Sequence, residues 1–250
     1  MKKILNRNDI KIIALITMVL DHIGCLIEGV APIWIYYILR TIGRISFPLF
    51  CYFVAEGYYY TKNKSKYLML LLIFAIISTI PHSLLFECSI TNFNILFTFI
   101  VSILFMMAYD HFYKGQTNFN KFSTIFIMII ISMFIYLIQY IGVSFSYGLY
   151  GIFLPYIFYV YRESPALKYI MFTTLLLLNG IIQTTIIFST VENATINTVM
   201  FEIISLFALT SIPIMMMYNG EKGKYNLKYL FYISYPAHML VLYLIKIIFM

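Results

Sequence analysis

Charge is what this chain has least of. Charged residues make up 11% of its 250 residues and hydrophobic ones 62%, where a soluble domain carries about 25% charged residues. So little polarity excludes a water-clad globular fold. Cysteine is also scarce: Cys25, Cys51 and Cys88 show neither metal-ligand nor redox spacing, which argues against a zinc module or a disulfide framework. Cys25 and Cys51 fall inside apolar runs, where a small buried residue is the ordinary role. No Gly/Ser/Pro-rich linker and no internal repeat divides the chain, so one domain is expected. HExxH, GxSxG, the P-loop and paired CxxC are all missing. No histidine has an aspartate five residues on, as a soluble-type HxxxxD acyltransferase needs; His82 and Glu87 have that spacing but lie at a predicted membrane exit. Tandem midplane carboxylates, expected of an intramembrane aspartic protease and many ion-coupled transporters, are not evident either. The basic start, MKKILNRNDIK, runs into apolar sequence with Glu28 and Pro32 where a small-residue cleavage site would stand. That predicts a retained first helix.

What the chain does have is apolar runs of membrane-crossing length, about 20 residues each. We count about nine, at 11–31, 42–61, 67–87, 94–112, 122–142, 147–161, 168–189, 197–218 and 228–249. Residues 33–41, bracketed by Pro32 and Gly43, read as a re-entrant or interfacial piece outside the second span. The net charge of +7 forms no patch of the kind nucleic acid requires; it lies in short clusters between the runs. Lys2, Lys3, Arg7 and Lys11, then Lys62, Lys64 and Lys66, Lys114 and Lys121, Arg162 and Lys168, and Lys222, Lys224 and Lys228 alternate with loops 88–93, 143–146 and 190–196 that hold no lysine or arginine. By the positive-inside rule this predicts an all-α polytopic integral membrane helical bundle, multi-pass, with the N-terminus in and the C-terminus out.

Ionisable groups deep in apolar runs cost several kcal/mol in hydrocarbon and mark functional sites by default. His22 lies eleven residues past Lys11, roughly 16 Å into a core about 30 Å thick. His238 lies ten residues past Lys228, roughly 15 Å in from the same side. Two histidines from opposite ends of the chain thus reach one level. Thr17, Asp21, Gly24 and Glu28 return to one face of the first helix, a stripe that should face the bundle interior. Asp21 and His22 are adjacent and diverge by about 100° on a helix, so Asp21 does not orient His22 directly. Arg40 and Arg44 share a helix face. They either snorkel to the outer headgroups or turn inward to neutralise Asp21 or Glu28, which leaves His22 to face a substrate as a general base. Glu56 closes the same run. Tyr232, Tyr235 and His238 line one side of the last span, beside Pro236. His111 beside Asp110 reads as a solvated interfacial pair, and Asn179, Gln183 and Glu202 as polar contacts between helices.

Four pieces carry a family resemblance: KIIALITMVLDHIG (11–24), LRTIGRISFPLFCYFVAEGYYYTKNKSKYLMLLLIFAIIS (39–78), FNILFTF (93–99) and FYISYPAHMLVLYLI (231–245). Within them stand DHIG, RxxGRxxFPxF and YPxH. The sequence resembles the TraX-like integral membrane proteins, the family of the F-pilin acetylation protein. STIPHS at 78–83 departs from the S-E-I-P-F-D expected of relatives, and residues 113–218 carry no motif of the family. RISFPLFCYFVAEG is also distantly similar to the second span of heparan-glucosaminide and acyltransferase-3 type membrane acetyltransferases. The resemblance implies a single transmembrane acyltransferase-like domain over residues 1–250 in the inner or plasma membrane. It further implies acetyl-CoA as co-substrate, no metal, and an amine or hydroxyl acceptor on an envelope protein such as a pilin or on a cell-surface glycan. Carried onto this chain, His22, Asp21, Arg44 and His238 become the candidate catalytic residues. Arg40, Glu56, Tyr235, Thr17 and Glu28 become candidate substrate contacts, with Lys62, Lys64 and Lys66 toward the CoA phosphates. The rival expectations are a proton-coupled transporter and a non-enzymatic subunit of a conjugation or export system.

Overall fold

The computed structural model describes residues 2–113, 118–138, 141–191, 196–225 and 227–249; the inner-side cation Lys114 lies outside them. The protein is all-α. Among the described residues, eleven helices follow in order: α1 (Arg7–Leu26), α2 (Ile33–Gly43), α3 (Ser46–Tyr60), α4 (Lys64–Phe86), α5 (Ile95–Ala108), α6 (Asn118–Ile138), α7 (Gly148–Val160), α8 (Pro165–Thr190), α9 (Ile196–Ser205), α10 (Ser211–Met216) and α11 (Lys228–Phe249). A π-helical turn, Tyr109–Tyr113, extends α5, and a 3-10 turn, Leu206–Thr210, joins α9 to α10. The dominance of helix follows from the medium: a backbone in hydrocarbon must satisfy its polar groups within the segment.

Among the described residues, six stretches are long and apolar enough to cross a membrane: Ile33–Tyr60, Lys64–Phe86, Ile95–Phe112, Pro165–Thr190, Val199–Met216 and Tyr229–Phe249. The chain is a multi-pass membrane protein. Two sequence expectations need correction. Residues 33–41 are not a separate interfacial piece, because α2 passes into α3 through a two-residue turn and the pair forms a 28-residue run. The first helix ends at Leu26, where Ile27 N–H donates to the Ile23 carbonyl and the chain turns. The eleven-residue offset that placed Glu28 on the stripe assumes a helix that has already stopped.

The chain packs as two compact units, with the boundary inside α3. The first holds residues 1–50 and 165–250. There α1 starts in a capping box: the Asn6 side chain accepts from Asn8 N–H and Asp9 N–H, and the Asp9 carboxylate accepts from Asn6 N–H at 2.9 Å. This satisfies donors that a helix start otherwise orphans. The segment before it is tied to the loop ahead of α11 by Leu5 N–H to the Met217 carbonyl and Asn219 N–H to the Leu5 carbonyl. Gly24 and Gly43 set the approach of α1 to α2. A Cβ on Gly24 would lie 3.1 Å from Arg40 Cδ, and one on Gly43 would overlap the Asp21 side chain. Small residues at a membrane helix crossing allow just such backbone proximity.

The second unit, residues 51–164, packs α5 against α4 and α7. Phe105, Met128, Ile135 and Ile152 form an apolar core. Two short strands, β1 (Asn92–Phe93) and β2 (Ser144–Phe145), pair in parallel. The buried Asn94 caps α5 by accepting from Leu96 N–H and donates to the Ala75 carbonyl on α4 at 2.8 Å, so one amide starts a helix and fastens it to its neighbour.

Candidate functional site

The site grows from α1. Asp21 and His22 leave the helix in different directions and take different partners. Asp21 is buried and bridges both arginines: Arg40 Nη1 lies 2.9 Å from Oδ2, and Arg44 Nη2 pairs with Oδ1. Arg40 Nη1 also donates to Cys25 Sγ at 2.7 Å, and Arg44 Nε donates to the Arg40 carbonyl at 3.2 Å. Both arginines are at least nine-tenths buried. They turn inward and do not snorkel. The Phe201 ring of α9 faces both guanidinium carbons at 4.9 Å, a cation–π contact that partly replaces lost hydration.

His22 meets His238 of α11, with Nδ1 of the first 2.7 Å from Nε2 of the second. His238 Nδ1 is in turn 2.7 Å from the Ser234 carbonyl oxygen one turn earlier. Tyr235 is buried and packs against His238, with ring centroids 5.8 Å apart. The first unit therefore holds a buried carboxylate between two guanidiniums, and beside it, one residue along α1, a hydrogen-bonded histidine pair.

Other candidates are placed elsewhere. Thr17 is buried, but its hydroxyl turns back on α1 and donates to the Ile13 carbonyl at 2.8 Å. Glu28 stands exposed in the turn after α1. Glu56 belongs to a separate ionic group in the second unit: Arg162 Nε donates to its Oε1 at 2.9 Å, and the same guanidinium reaches Glu163 and the Tyr60 hydroxyl and lies over the Tyr59 ring. Burial disfavours the Arg162 charge, but Glu56 and Glu163 together with Tyr60 outweigh that and raise its pKa above the ordinary arginine value.

Lys64 is also engaged. Its ammonium lies 2.5 Å from Asp110 Oδ2, and Asp110 further accepts from the Tyr58 hydroxyl at 2.9 Å and the Tyr159 hydroxyl at 2.6 Å. Asp110 is thus a fastening between helices and not half of a solvated pair with His111, which is exposed. Lys62 and Lys66 are exposed. Sequence order carries no signal for Phe201 or the Ser234 carbonyl, marks Cys25 only as a small buried residue and marks Arg162 only as a topology charge.

Two outcomes follow from this packing. Gly43→Ala drives a methyl group into Asp21 and is expected to cost about 1–3 kcal/mol, as overpacking does. Gly24→Ala, whose neighbours need only small shifts, should cost less; thermal unfolding in detergent ranks the two. In the second unit, Asp110→Asn weakens three charge-assisted hydrogen bonds on a partly exposed group, an expected loss of roughly 1–2 kcal/mol. Tyr58→Phe removes one donor, so its midpoint should fall between wild type and Asp110→Asn.

These features define a class: multi-pass membrane proteins with a buried ionic triad and a partly buried histidine pair between helices. The chain belongs to the TraX family, whose model, described as TraX protein, matches residues 6–246. It is 26% identical over 248 residues to the probable fimbrial assembly protein FimC, serogroup H1, of Dichelobacter nodosus, covering 94% of this chain and 93% of that protein. Over 125 residues it is 30% identical to an uncharacterized protein of Rickettsia prowazekii (strain Madrid E), covering 49% of this chain and 44% of that one. No solved structure matches the chain significantly.

Proposed function

We propose that this protein transfers an acetyl group from cytoplasmic acetyl-CoA to an amine or hydroxyl acceptor of the cell envelope, a pilin-type protein or a surface glycan. In this reading it sits in the inner membrane with its N-terminus inside, as the lysine and arginine distribution suggests. The observation that carries the reading is the division of labour on α1, where Asp21 is held by Arg40 and Arg44 while His22 meets His238. His22 takes the proton from the acceptor N–H or O–H as that atom attacks the thioester carbonyl. The new C–N or C–O bond forms, the C–S bond breaks, and the departing CoA sulfur takes the proton back. Arg40 Nε–H is buried without a hydrogen-bond acceptor among the described residues, a spare donor for developing negative charge. Lys62 and Lys66 steer the anionic donor to the inner surface. The fimbrial assembly protein among the relatives supports an acceptor of pilin type.

A second reading rests on the same histidine contact. Two rings 2.7 Å apart also suit a proton path, as in a proton-coupled transporter or an export accessory. Purified protein given labelled acetyl-CoA separates the two. The transferase binds the donor and either transfers or hydrolyses the label. Absence of both, together with proton flux in liposomes that lack any acyl donor, would overturn the enzyme reading in favour of the relay.

A further inference from the structure

We propose that His238 is the positioning residue for His22, and that the Ser234 carbonyl fixes the protons of both rings so that the basic lone pair stands on His22 Nε2. The role in transfer rests on the reading of His22 as the general base; the proton assignment rests on geometry alone.

The derivation starts from a group with no proton to give. A carbonyl only accepts, so the 2.7 Å contact to Ser234 requires a proton on His238 Nδ1. A neutral His238 then carries its lone pair on Nε2. That atom lies 2.7 Å from His22 Nδ1, which must therefore be the donor. A neutral His22 in turn carries its lone pair on Nε2. The rings are arranged for this. Their planes differ by only 20°, and their centroids are 4.9 Å apart, close to the two ring radii added to the nitrogen contact. The imidazoles meet edge to edge in nearly one plane, with the shared proton in line between them.

The consequence for transfer is a two-step proton movement. As the acceptor attacks, its proton bonds to His22 Nε2, and the proton on His22 Nδ1 passes to His238 Nε2. The positive charge then rests on His238, whose Nδ1–H still donates to Ser234. When the C–S bond breaks, both protons move back and the CoA sulfur leaves as the thiol. Spreading one charge over two rings and a carbonyl lowers its cost in a medium that penalises a localised ion. In the familiar serine-protease arrangement a carboxylate orients the histidine. Asp21, the carboxylate adjacent to His22 in sequence, is held by the arginines, and a second imidazole backed by a carbonyl takes that place.

The test uses full-length protein in nanodiscs with nitrogen-15 histidine. The chain has four histidines, so single substitutions assign every signal. His22 and His238 should both be protonated at Nδ1 and not at Nε2, and His238→Leu should release His22 to a mixture of tautomers. The same variant should lower the acetyl-transfer rate about 100-fold with the KM for acetyl-CoA unchanged. His238→Gln, whose side-chain oxygen can accept from His22 Nδ1–H but cannot take the proton, should restore the His22 tautomer and recover only part of that loss, and it guards against a mere folding defect. Wild-type His22 protonated at Nε2, or His238→Leu transferring at the wild-type rate, would overturn the proposal. A wild-type protein that transfers no acetyl group removes the reaction and the relay's use in it together. A transferring protein with the other tautomer removes the relay alone.

Discussion

Replacing Asp21 by alanine is expected to destabilise the folded protein by about 3–5 kcal/mol, the cost of stranding a buried charge without its partner. The magnitude follows from the triad: one carboxylate serves two guanidiniums, all three residues are nine-tenths buried or more, and the Phe201 ring replaces only part of the lost hydration. Asp21→Asn keeps the shape and some hydrogen bonding, so its loss should be smaller. A simultaneous change of all three to apolar residues of similar volume should recover much of the stability, since buried ion pairs are often no better than a packed apolar core. That triple variant separates stability from function, because it keeps the fold while losing any activity the arginines supply. Unfolding titrations in detergent measure the series. An Asp21→Ala midpoint equal to wild type would show that the arginines find their charge balance elsewhere.

The second large effect falls on chemistry. His22→Gln should lower acetyl transfer about 10²- to 10⁴-fold, the range of general acid–base catalysis, while leaving the unfolding midpoint near wild type. The expected separation arises because Gln still bonds His238 with its amide but cannot take a proton at the acceptor. Acetyl-CoA binding, measured by label retained on the protein, should stay within a few-fold. Equal loss of binding and transfer would instead point to a misfolded site.

Much of this was legible in the sequence because helix geometry carries it. Eleven residues from Lys11 to His22 and ten from Lys228 to His238 give matched depths by rise per residue alone, and the adjacency of Asp21 and His22 already forbids a dyad. The four-residue step from Arg40 to Arg44 puts both on one face. The stripe fails at Glu28 because periodicity says nothing about where a helix stops, and α1 stops at Leu26. The expected separation of residues 33–41 rests on Pro32 and Gly43, and neither breaks the run. Pro32 precedes the first turn of α2, where a proline costs nothing, and Gly43 is small because Asp21 lies against it. The pairing of Glu56 with Arg162, 106 residues later, and the closure of Phe201 over the arginines are contacts between distant elements, which no local pattern encodes. The three donors to Asp110 come from α3, α4 and α7 for the same reason.

The most direct test of the central claim is made on the cell envelope. Mass spectrometry compares envelope proteins and surface polymers from cells carrying the intact gene, the His22→Gln form and a deletion. An acetyl-sized mass difference on one envelope component, present with the intact gene and missing from the other two, is the predicted result. Identical spectra from all three strains, with the protein present in the membrane, would contradict it.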